Sequence, residues 1–164
     1  MKKSVFFFCI AVYGAVFLLA FRRDDTKRRA AGGRALFIAN CSPCHGTNRA
    51  IVGPPFQGIR QDYPLTWIYA MVQNHDSFCN SADIHAQYIH KVWQSGGMSV
   101  AYHLTDAEII SVLDYVDSMP ATSNYYAHRK MSDKELKAQL EYIDTYPGGN
   151  FGQNEHILDS LQKL

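Results

Sequence analysis

The 164-residue chain is poor in cysteine (four), proline (six) and charge (19%), and its formal net charge is only +1. Four cysteines are too few to staple a disulfide scaffold. Sparse charge beside 47% apolar residues excludes a wholly disordered chain. The length suits one ordinary domain with a core and is too short for two comfortable ones. The near-zero charge argues against a nucleic-acid binder, but an average hides segregation. Residues 1–34 carry +6, residues 35–119 carry −4 and residues 120–164 carry −1. Three unlike segments therefore need separate readings.

The positive charge belongs to the N-terminus. Lys2 and Lys3 precede a charge-free apolar run over residues 4–21, and a flank rich in arginine extends from Arg22 to Arg29. A cleaved export signal needs a basic start, an apolar core and a small-x-small site. Here Leu18-Leu19-Ala20 puts leucine where a small residue is preferred. Eighteen apolar residues rise about 27 Å as a helix, close to a hydrocarbon core of roughly 30 Å. Residues 1–21 thus read as a signal peptide or, better, an uncleaved membrane anchor, and residues 22–31 as a basic linker. The basic flank runs against the positive-inside tendency if residues 32–164 are exported. Contact with anionic headgroups outside the bilayer is one role for it, and a solvated linker is the plain alternative. Cys9 reads as one more apolar residue of the run.

The most informative segment is Cys41-Ser42-Pro43-Cys44-His45. Cys-x-x-Cys-His is the attachment signal of c-type haem. Two thiols add to the two porphyrin vinyl groups, and the adjacent histidine is then held under the iron as its axial ligand. A thioredoxin-like dithiol would need a βαβ setting, and nothing here alternates strand with helix. A zinc site completed by Cys79 and one of His75, His85 or His90 is the remaining rival, without a second Cys-x-x-Cys beside it. Export favours haem, because c-type attachment takes place outside the cytoplasm.

Around that motif, residues 32–119 resemble a mono-haem class I cytochrome c domain. Gly33 lies eight residues before Cys41 and Phe37 four before it; Gly53-Pro54 comes after the motif, and Met98 precedes a last helix that contains Tyr115. The resemblance implies an all-α fold of about four to five helices around one haem c, bound covalently through two thioethers from Cys41 and Cys44. It implies that His45 and Met98 ligate the iron, that the Pro54 carbonyl accepts the proton on the far nitrogen of His45, and that Trp67 lies near the haem propionates. The plain readings are a turn proline at 54 and a core tryptophan at 67. His103 is the competing second ligand. Ser99 stands where many relatives have proline after the methionine, which leaves room for a labile distal ligand. With both axial positions filled, the iron has no open site, which favours one-electron transfer over catalysis.

The residues support helices independently. Ala35 to Ala39 form an apolar stripe, and Gly33 allows a second helix to cross closely. A helix begins near Tyr63-Pro64, with Trp67 and Met71 on its inner face. Another spans about 81–94 and ends at Gly96-Gly97; its His85 and His90 fall on an exposed or boundary face with no ligand role. Thr105-Asp106-Ala107-Glu108 is a capping box, opening a helix that Met119-Pro120 ends. Cys79 reads as a buried apolar cysteine, although a free thiol outside the cytoplasm is unusual.

Residues 120–164 read as a helical extension. Ser132-Asp133-Lys134-Glu135 is a second capping box before Leu136, Leu140 and Ile143, and a short helix is expected over 154–164. No catalytic constellation appears there. The chain reads as an electron carrier of an exported respiratory or oxidoreductive chain, held on the outer face of the cytoplasmic membrane through residues 4–21 or soluble in the periplasm after cleavage. Alternatives are peroxide or gas chemistry at a labile haem, or an electron-relay subunit of a larger dehydrogenase or oxidase. A −4 haem domain calls for redox partners with a basic docking face.

Overall fold

The computed structural model describes residues 28–93, 103–120 and 131–145. Among these residues the structure is helical, and an isolated bridge between His45 and Ala50 is the sole β pairing. The elements are α1 (28–40), α2 (Ile59–Asp62), α3 (Leu65–Gln73), α4 (His75–Cys79), α5 (Ile84–Trp93), α6 (Asp106–Asp117) and α7 (Asp133–Asp144). The apolar run at 4–21, the Met98 segment and the expected helix at 154–164 lie outside the described residues. Among the described residues, no helix is long and apolar enough to cross a membrane.

Among the described residues six helices lie within 28–120, so the expected four or five carry two short additions. The surplus is α2 and α4, of four and five residues. Segments this short have no room for an apolar period, so patterning does not reveal them. The start of α5 also moves, from 81 to Ile84. Asp83 accepts the Ala86 N–H at 2.8 Å, while Ser81 Oγ accepts the Asp83 N–H at 3.2 Å. Those side chains satisfy backbone donors in a non-helical lead-in, which is what a capping residue does.

The frame of the domain is the crossing of α1 over α6. A Cβ built on Gly33 would run into the Ser111 carbonyl, so only glycine permits this approach. One turn on, Phe37 packs against Tyr115 of α6 at 5.6 Å and edge-on to Phe56 at 5.8 Å. Phe37, Cys41, Val112 and Val116 form the buried cluster beneath the crossing. The α6 face is completed by Ile109 and Leu113, which join Tyr63, Ile68 and Leu104 in a second cluster. The Thr105–Glu108 box is fully formed, with Glu108 N–H donating to Thr105 Oγ1 and Thr105 N–H to Glu108 Oε2.

Arg60 fastens α2 to α6. Its guanidinium donates to the Ile110 carbonyl at 3.1 Å and to Asp114 at 2.9 Å, and pairs with Asp117 at 3.2 Å. Arg29 of α1 reaches the other oxygen of Asp114 at 3.1 Å. Beyond the haem-motif domain, α7 packs along α5. Ile143 joins Val92 and Trp93, with Tyr88, Ile89 and Ala50 around them. Leu136 is 1% exposed. Lys91–Asp144 and His85–Asp133 pair at the margins.

Candidate functional site

The Cys-x-x-Cys-His segment leaves α1 as a tight turn. The Phe37 carbonyl accepts from the Cys41 and Ser42 N–H groups at 2.8 and 2.9 Å, which ends the helix. The Cys41 carbonyl then accepts from Cys44 N–H at 3.1 Å and His45 N–H at 2.8 Å. This backbone keeps the two cysteines and the histidine on one turn. Cys41 is buried and Cys44 exposed. Burial pushes the Cys41 thiol up to about 12, so it is protonated at neutral pH.

The loop after the motif folds back to hold His45. Val52 and Gly53 N–H groups donate to the Cys44 carbonyl at 2.9 and 2.8 Å, and Phe56 N–H donates to the Gly46 carbonyl at 3.2 Å. His45 Nδ1 lies 2.7 Å from the Pro54 carbonyl oxygen. Since a carbonyl only accepts, Nδ1 carries the proton and Nε2 keeps its lone pair. The imidazole packs on Phe56 with ring centroids 4.7 Å apart. On another side it rests against Gly53, where a Cβ would strike the ring. Burial holds His45 below its usual range, against the opposing pull of the Pro54 carbonyl, and the charge of His75 adds slightly to the lowering. A neutral, oriented imidazole is the form that ligates a metal.

Trp67 stacks on Tyr63 at 4.0 Å and meets Phe78 edge-on at 5.4 Å. Its indole N–H donates to Asp83 Oδ2 at 3.1 Å. The group that the resemblance directs at a propionate is thus engaged by a carboxylate of the chain, and Trp67 ties α3 to the start of α5. Asp83 does not stand out in the sequence, although an aspartate just ahead of an apolar helical stripe is an ordinary cap signal. Of the two candidates for the second ligand, Met98 lies outside the described residues. His103 is exposed, and its charge is felt by Glu108 at the start of α6.

A second cluster brings together side chains that the sequence offered only as partners of the Cys41–Cys44 pair in a zinc site. His75 and Cys79 of α4 meet His90 of α5, with one ligating atom of each within 4.8 Å of the others. His90 therefore faces inward toward His75, with ring centroids 5.6 Å apart. His90 is half-buried, which fits the expected boundary placement, although it has a ring neighbour there. The spacing of four between His75 and Cys79 is the available signal, but it needs α4 to be known as helical.

A helical domain in which a carbonyl-anchored histidine directly follows two cysteines on one turn belongs to the class of covalent haem carriers. Residues 30–120 match the family model described as Cytochrome c, and the chain belongs to the cytochrome c family, of class I type. No curated protein and no solved structure matches the chain. Family membership implies covalently bound haem c and supports haem-based electron transfer as the general role.

Proposed function

We propose that the chain carries one haem c, joined through thioethers from Cys41 and Cys44, and passes single electrons between protein partners outside the cytoplasm. The observation that carries this reading is the His45–Pro54 contact of 2.7 Å directly after the cysteine pair. When bound, the haem iron supplies the Fe(II)/Fe(III) couple. His45 would hold it through Nε2, since Nδ1 is committed to the Pro54 carbonyl. Met98 is the proposed second ligand; a thioether is soft and neutral and raises the potential relative to a second imidazole. Phe37, Phe56 and Tyr115 exclude water from the Cys41 side and so favour the less charged ferrous form.

The proposed setting is the outer face of the cytoplasmic membrane, reached through residues 4–21. The −4 haem segment is proposed to meet partners through a basic face, with encounter slowed by salt. The test is expression with the haem-attachment machinery, then acid–acetone extraction and intact mass measurement. One haem per chain that resists extraction is expected, with its loss in the Cys41→Ser, Cys44→Ser double variant. Fully extractable haem, or none, would overturn the reading. Met98→Ala should open the iron to carbon monoxide while covalent haem stays in place; an unchanged slow response would remove Met98 as ligand.

A further inference from the structure

Among the described residues, the haem motif leaves one group of metal-binding side chains unused. His75 and Cys79 are 2% and 4% exposed, and His90 reaches them from α5. Two helices that are separate in sequence thus bring two imidazoles and a thiol together, His75 and Cys79 buried and His90 half-buried. A thioether is adjacent as a fourth donor: the Cys79 Sγ lies 3.9 Å from the Met71 Sδ. Cys79 Sγ also lies 3.8 Å from the His75 ring nitrogens. A single ion with bonds of about 2.0–2.3 Å spaces its donors roughly 3.3–4 Å apart. Cys79 already keeps that spacing to His75 and Met71.

Two details set the cluster apart from packing of small polar residues. His90 Nδ1 is buried with no hydrogen-bond partner, which is costly for an imidazole nitrogen unless something binds it. His75 is likewise buried, and both its ring nitrogens lie 3.8 Å from the Cys79 sulfur.

We infer that His75, Cys79 and His90 form a mononuclear copper site, with the Met71 thioether as a weak fourth donor. The donor set decides the metal. Two imidazoles, a thiolate and a long thioether suit copper, whereas zinc takes thiolates, imidazoles and carboxylates and gains little from a thioether. Burial, and secondarily Asp76 and Asp83, push the Cys79 thiol up to about 11, so an incoming ion must displace its proton. None of these residues belongs to the haem motif.

The experiment uses the full-length, haem-loaded chain carrying Cys9→Ser, so that Cys79 is the remaining free thiol. It is treated with Cu(I) without oxygen, desalted and analysed for copper, with haem quantified on the same sample. About one copper per chain is expected, with Cys79 shielded from alkylation. Cys79→Ser and His90→Gln should each weaken retention about 100-fold, and Met71→Leu several-fold, with the haem absorption spectrum unchanged in all three. Copper retained equally by Cys79→Ser and His90→Gln, or not retained at all, overturns the site. Displacement of copper by an equal concentration of Zn(II) overturns the choice of metal. A shift in the haem spectrum of His75→Ala, with haem still attached, assigns His75 to the iron and also overturns the site. Because haem and copper are counted separately, failure of the haem reading and failure of this one are distinguishable.

Discussion

His45 and His75 make an instructive pair. Both imidazoles are partly or fully buried, and both are held below the usual histidine range chiefly by burial. His45 owes this to a loop of nine residues that closes on itself, from the cysteine turn to Pro54. His75 owes it to packed helices: it meets His90 of α5 and Cys79 of its own helix, and Cys79 in turn touches Met71 of α3. The first environment is local and survives changes elsewhere. The second exists only while α5 stays in place, and α7 is packed along α5.

The largest predicted effect strikes the frame of the haem segment. Gly33→Leu forces a side chain into the Ser111 carbonyl, where no rotamer can relieve a backbone clash. A loss of about 3 kcal/mol or more is expected in urea unfolding. A midpoint shift under one tenth of that size would mean α1 and α6 do not cross this closely.

Next is the support of the second region. Leu136→Ala empties a fully buried position of α7 and should cost about 2–4 kcal/mol. The sharper expectation concerns where the loss is felt. Hydrogen exchange should accelerate in α7 and α5, while covalent haem at Cys41 and Cys44 is retained. Equal acceleration in α1 would erase the contrast between the two regions.

Smaller still is Lys91→Ala at the α5–α7 margin. The ion pair with Asp144 is exposed, and such pairs contribute only about 0.2–1 kcal/mol. Thermal unfolding at low and high salt should show the difference fading as salt rises. A loss as large as that of Leu136→Ala would place the strength of this interface in charge rather than in apolar burial.

The smallest expected effect is a pH dependence at the α6 cap. The Thr105 backbone N–H, and then its hydroxyl, hold the Glu108 carboxyl below its ordinary 4.5. Below that pH the unfolded chain binds the proton more readily than the folded one. The cap's stabilisation is therefore present above pH 4.5 and fades as pH falls through the lower folded value. Glu108→Gln should flatten the stability profile in this acid window, with a small loss of stability at neutral pH that closes as pH falls. A profile unaltered by the substitution would remove the carboxylate from the cap.

Much of the haem segment is readable because its determinants are contiguous. Gly33, Phe37, the cysteine pair, His45 and Pro54 lie within 22 consecutive residues. Both capping boxes are readable for the same reason, since each needs only positions one and four. By contrast, α2 and α4 are single turns without periodicity. Asp83 looks like loop, yet it both caps α5 and holds the Trp67 N–H. The apolar stripe of α5 lies away from His90, which suggests an outer face; the neighbours that bury its Nδ1 belong to other elements.

By itself, the sequence determined the helical class, the cysteine–histidine chemistry and the ends of the two capped helices. Those properties come from bonds and hydrogen bonds that span a few residues. Only the tertiary structure decided that Trp67 points its N–H at Asp83, that α7 lies on α5, and that His75, Cys79 and His90 meet beside Met71. Such encounters depend on how separate helices bury their apolar faces against one another, a choice made by the whole core at once.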